Sequence, residues 1–301
     1  MDSKLSKYLP LIGMGLMLLM VQLIAVALSK PLEINDFKAF QDPNDTGNVL
    51  LWVIIILVFT GFIFLIIKLN KKWILQAFIL ITVAWTLGYV FYAIFSIFIS
   101  PELNLALTLL LSIGLTLVLY KFPEWYVIDI VGVLLGAGSA SIFGISLNII
   151  PVLLLLVLLA VYDYIAVYRT KHMVALAEGV MDLRLPILLI IPKHWKYSFR
   201  NEKFDKEERE AFFMGLGDTV IPTLLVVSAN FFIKDTTFYS LPLAGAVNLP
   251  AIGAIIGTFI GFSVLMAFVM KGKAQAGLPF LNGGVILGYI AGSLIAGSAL
   301  I

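Results

Sequence analysis

The sequence predicts an all-α, polytopic membrane protein of nine transmembrane helices, with the N-terminus cytoplasmic and the C-terminus outside. Three observations lead there. Hydrophobic residues make up 61% of the 301-residue chain, against about 45–50% in soluble domains. Apolar runs recur at the length of about 20 residues that a hydrocarbon core of about 30 Å requires. Lysine and arginine gather on alternate loops, as the positive-inside rule demands. Asp, Glu, Lys and Arg together reach only 13%, so a soluble fold could not hide the remaining apolar surface.

The spans fall near 10–29, 49–67, 74–99, 103–120, 127–145, 148–168, 210–233, 241–270 and 276–300. The first follows Lys4 and Lys7 and contains Ala25-Val26-Ala27, which resembles a signal cleavage site. Its apolar run exceeds the roughly 7–15 residues of a signal h-region, so it reads as a retained anchor. The fifth is the weakest, carrying Asp129 among many small residues. The eighth is long, and Pro242 and Pro250 are placed to break its first turns. The chain thus divides into a six-span part (1–168), a loop (169–209) and a three-span part (210–301). No repeat relates the two halves.

Orientation follows from the cations. Of 20 Lys and Arg residues, only Lys30, Lys38 and Lys234 fall on the side opposite the N-terminus, which makes the N-terminal side cytoplasmic. Loop one (30–48) is then outside, acidic and turn-rich at Asp42-Pro43-Asn44-Asp45. Loop six (169–209) is cytoplasmic and mixed in charge, and its tail Lys203–Glu210 is expected to prolong the seventh span as a solvated helical turn. Within loop six, Leu185–Ile191 is apolar but too short to span. A surface-lying helix and an extended strand entering a groove both fit it.

Composition removes several function classes. There is no cysteine, hence no disulfide, thiolate metal site or thiol nucleophile. The two histidines, His172 and His194, both sit in loop six without zinc-protease spacing, and no intramembrane histidine exists to activate a serine such as Ser139. No metal or other cofactor is implied. A net charge of +2 gives no footprint for nucleic acid.

Of 18 acidic residues, three fall inside predicted spans: Asp129, Asp163 and Asp218. A charge at mid-bilayer is expensive, by at least about 2.5–3.5 kcal/mol, so such residues turn inward and are functional suspects. Asp163 lies near the end of span six and Asp218 near the start of span seven. Antiparallel helices rising 1.5 Å per residue bring them to a common depth. Asp129 is shallower and reads as an interfacial acid reaching water. Two neighbouring carboxyls resist double ionisation and share a proton, which is the minimum equipment of an aspartic protease. A proton-coupled transporter or cation-leak channel would use the same pair, and depth alone does not separate the two readings.

Local sequence does. Tyr162-Asp163 near the inner end of one span, a long loop, and Gly215-Leu216-Gly217-Asp218 in the next resemble the presenilin and signal peptide peptidase family, and most of all its prokaryotic members. The family's third signature, Pro-Ala-Leu-Pro, is represented by Ala276-Gly277-Leu278-Pro279, which keeps the leucine and the second proline. Prepilin-type peptidases share Gly-x-Gly-Asp but not the nine spans, the Tyr-Asp partner or the Leu-Pro corner. The resemblance implies intramembrane hydrolysis of single-span transmembrane substrates by Asp163 and Asp218. It implies that Tyr162, Gly215, Leu216, Gly217, Gly277, Leu278 and Pro279 position the substrate, and that the chain resides in a prokaryotic plasma membrane. Gly215 and Gly217 suit that role physically, since a missing side chain permits close backbone approach. The same family carries an apolar loop segment that plugs the site, as residues 185–191 would here.

Small residues recur every fourth position at Gly132, Gly136, Ala140 and Gly144, at Gly253, Gly257 and Gly261, and at Gly284, Gly288 and Gly292. Such seams bring helix backbones together, within one chain or in a homo-oligomer. They predict that spans five, eight and nine are tightly held and that spans one to four flank them.

Overall fold

The structure, a computed structural model, describes residues 3–69, 71–170, 186, 188–194, 197–201, 210–234, 236–270, 275–298 and 300. Among the described residues the chain forms nine α-helices: α1 (Ser3–Ile34), α2 (Gly47–Lys68), α3 (Lys72–Phe95), α4 (Pro101–Lys121), α5 (Trp125–Ser146), α6 (Ile149–Ile165), α7 (Leu216–Phe232), α8 (Leu249–Val269) and α9 (Gly277–Ala296). Eight are long and apolar enough to cross a bilayer, α6 being counted with a π-helical extension at Ala166–Thr170. The 17-residue α7 is shorter. The protein is a multi-pass membrane protein, and each expected span contains a helix.

Two helices start later than hydropathy places them, and the all-α expectation misses two antiparallel strand pairs. Span seven was expected to be helical from residue 210. Instead β2 (Ala211–Gly215) runs extended beside β1 (Leu188–Pro192), in a register that pairs Leu188 with Gly215 and Pro192 with Ala211. Phe212, Phe213 and Met214 suit a pleated, half-buried surface, and Gly215 stays extended (φ −60°, ψ 135°) before α7 begins. Glu210 belongs to this ladder, accepting from the Lys193 N–H at 2.9 Å; the rest of the expected helical tail, 203–209, lies outside the described residues. Residues 188–192 therefore adopt the strand alternative, while Leu185 and Ile187 are outside the described set.

Span eight was expected from residue 241. Here β3 (Phe238–Leu241) and β4 (Gly245–Asn248) form the second pair, a tight hairpin, and Pro242 lies in its turn. The helix starts only at Leu249, with Pro250 in the first turn, where its missing N–H leaves no bond unmade. Asn248 caps it, its Oδ1 accepting from the Ala251 N–H at 2.9 Å.

The centre of the bundle is α7. Residues 221–230 are buried almost without interruption, and the helix contacts α1, α5, α6, α8 and α9. Glycine seams set the tightest approaches. A Cβ on Gly257 would strike the Gly284 carbonyl and lie 2.7 Å from the Gly288 Cα, and one on Gly253 would lie 2.8 Å from the Gly292 Cα. The backbones of α8 and α9 thus touch at successive levels, as the seam predicts.

The expectation that spans one to four flank the rest holds for α2, α3 and α4 but not for α1. That helix buries Met14, Leu18, Val21, Gln22 and Ala25 against α5, α7 and α8. Gln22 was the available signal: a side-chain amide in an apolar run turns toward protein rather than lipid.

Candidate active site

Asp163 is close to the end of α6 and only 4% exposed. Its Oδ2 accepts from the Leu278 N–H at 3.1 Å, and the Gly277 N–H is directed at the same carboxyl. Both donors belong to the first turn of α9, where backbone N–H groups have no partner within the helix. Asp218 is the third residue of α7, partly buried, and sits one turn from the helix start because β2 replaces the expected first helical turns.

Its carboxyl is bracketed by two glycines. A Cβ built on Gly277 would stand 3.0 Å from Oδ1 of Asp218, and one on Gly215 would stand 3.2 Å from Oδ2. The amides on either side of the Gly277 Cα therefore face Asp163, while the open face of that Cα meets Asp218. One corner of α9 gathers both acids.

A second tie holds α6 to that corner. Tyr168, in the π-helical extension, donates its hydroxyl to Gln275 Oε1 at 2.7 Å and accepts from the Ala276 N–H at 3.4 Å. Further along, Asn282 Nδ2 donates to the Leu156 carbonyl at 2.8 Å. Tyr168, Gln275 and Asn282 were not picked out from the sequence. Only Asn282, a polar residue in an apolar helix, carried a signal.

The remaining residues of the expected site divide. Gly217 is exposed, with nothing within 4 Å of the position a Cβ would take, so its backbone is open to approach. Leu216 turns instead toward α5, its Cδ1 lying 3.1 Å from where a Cβ on Gly136 would be. Leu278 is buried in the core. Tyr162, preceding Asp163, is partly buried. Pro279 lines an apolar groove of about 360 Å³ between α6 and α9, together with Val157, Val161, Tyr164 and Asn282.

Asp129 departs from its expected place. Rather than reaching water it is 2% exposed, and its Oδ1 accepts from the Ile190 N–H at 2.7 Å. Among the described residues no three His, Asp or Glu side chains converge as a metal site would need; His172 lies outside them. Two carboxyls at one corner can divide general-acid and general-base work between them.

The family model described as signal-peptide peptidase, presenilin aspartyl protease matches residues 14–298. The chain belongs to that family. It is accordingly an intramembrane aspartic endopeptidase, a conclusion the solved structures support. A presenilin family intramembrane aspartate protease in a C222 crystal form is 39% identical, with a TM-score of 0.72 over 96% of this chain and 100% of that one. One in a P2 crystal form is 40% identical, with a TM-score of 0.71 over 96% of this chain and 99% of that one. A search of curated proteins finds no match. Among presenilin-family signatures, this chain's glycine at 277 replaces the motif's alanine at the position where Asp218 lies.

Proposed function

We propose that Asp163 and Asp218 are the catalytic dyad and that they hydrolyse peptide bonds of single-span transmembrane substrates. The observation that carries this reading is the Gly277–Leu278 corner, which hydrogen-bonds one acid and packs on the other. The ionised carboxyl takes a proton from a water as its oxygen bonds to the scissile carbonyl carbon. The protonated carboxyl gives its proton to the carbonyl oxygen. Collapse of the tetrahedral species breaks the C–N bond, with a proton delivered to the leaving amine.

Substrate chain passes over Gly217, whose open Cα admits a backbone, and its apolar side chains enter the groove beside Pro279. The β1 strand flanks this path, because β2 beside it leads directly into Gly215–Asp218. The cation distribution supports a cytoplasmic N-terminus and an outside C-terminus, in the plasma membrane of a prokaryote. That orientation suits substrates whose N-termini are outside.

The test uses purified protein and a labelled single-span substrate, comparing wild type with Asp163→Ala and Asp218→Ala. Cleavage should fall by about 10²-fold or more in both variants; a rate near wild type in either rejects the dyad. Acid-dependent ion flux without cleavage would point to a proton-coupled carrier instead. Removing residues 185–191 should change cleavage, and an unchanged product pattern would take β1 out of the substrate path.

A further inference from the structure

We infer that Asp129 is a positioning residue that fastens the loop-six strand β1, and through it the approach to Asp218. This rests on the dyad proposed above. The Lys193 N–H donates to Glu210, so with the Leu188–Gly215 register the ladder to β2 uses residues 189, 191 and 193. The N–H of Ile190 then faces away from β2, and that is the one Asp129 takes, at 2.7 Å. Pro192 has no N–H to offer on the same edge. The outer edge of β1 is thereby closed by a proline and a buried carboxylate.

The platform is α5. Its Gly132 gives Leu189 Cδ2 room at 3.0 Å from the Cβ position, and Gly136 does the same for Leu216 Cδ1 at 3.1 Å. One face of α5 thus seats a residue of β1 and the residue two before Asp218. Glu124, at the start of α5, holds the far end of the loop by accepting from Ser198 Oγ at 2.8 Å and the Phe199 N–H at 3.2 Å. Asp129 Oδ2 is buried and takes no hydrogen bond among the described residues. A carboxylate kept in that condition is expensive, which is understandable if its other oxygen must hold the strand. The one hydrogen bond of Asp129 among the described residues goes to β1, so its effect on hydrolysis is transmitted through β1 and β2.

The experiment compares full-length wild type, Asp129→Leu and Asp129→Asn by amide hydrogen exchange over 188–192 and by kcat and KM on a labelled single-span substrate. Asp129→Leu should speed exchange of the strand and lower kcat about tenfold, as loss of a buried hydrogen bond predicts, with little change in KM. Asn keeps an acceptor and should restore most of both. Exchange unchanged in Asp129→Leu overturns the inference, as does equal impairment by Leu and Asn. If Asp129→Leu does not fold, Ile190→Pro against Ile190→Ala decides: both lose the side chain, and only proline removes the donor. Faster exchange at the neighbouring amides and lower kcat in the proline variant alone is expected; equal behaviour refutes the role. Exchange is read without catalysis, so failure of the dyad and failure of this inference remain distinguishable.

Discussion

Helices α2 and α5 are both 22 residues long, yet they occupy opposite situations. The more apolar of the two, α2, buries only Val49 and Ile66 among its described side chains and turns Leu50, Leu57 and Val58 outward. The less apolar α5 buries most of its length, including Asp129, Ser141 and all four of its glycines. In water the ranking would be reversed. In lipid, hydrocarbon outside is as good a solvent as hydrocarbon inside, so small and polar residues decide which helix is central.

The largest test of that contrast lies at the centre. Replacing Asp163 or Asp218 by Ala should slow cleavage by about 10²–10⁴-fold while leaving thermal unfolding near wild type. A comparable slowing from any outward-facing alanine substitution on α2, such as Leu57→Ala, would break the division. Next comes the glycine seam. Gly257→Leu drives a side chain into the backbone of α9 and should destabilise by about 3 kcal/mol or more, measured by unfolding in detergent.

A subtler change concerns Gly277. An alanine there is what the family motif carries, but its methyl would stand 3.0 Å from the Asp218 carboxyl. Gly277→Ala should reduce kcat several-fold with KM and stability nearly unchanged, as kinetics on the single-span substrate would show. The smallest effect is expected on α2, where Gly61 has nothing within 4 Å of its Cβ position. Gly61→Ala should leave activity intact and stabilise by up to about 1 kcal/mol. Adding a side chain to glycine thus destabilises at Gly257, where backbones touch, and stabilises at Gly61, where space is open.

What the sequence disclosed follows the same physics. Helices reveal themselves by apolar length, and the two acids by the penalty of placing charge in lipid, so Asp163 and Asp218 were legible before any coordinates. The strand pairs were not. Ala211–Gly215 is as apolar as a helical turn, and its partner Leu188–Pro192 lies well upstream in loop six, so hydropathy has no means of separating strand from helix there. The burial of Asp129 depended on that same unseen strand, because its partner is a backbone N–H that carries no residue signature. The inward place of α1 was written in Gln22 alone. The ties made by Tyr168 and Gln275 involve ordinary loop-end residues, whose types fit solvent equally well.

The interlock of α8 with α9 has a mechanical consequence. Rods pressed together at several heights cannot slide or splay independently, so the pair travels as one lever with the Gly277–Leu278 corner at its tip. The five-residue π turn at the end of α6, a looser winding than the α-helix before it, carries the Tyr168 hydroxyl that fastens α6 to that tip.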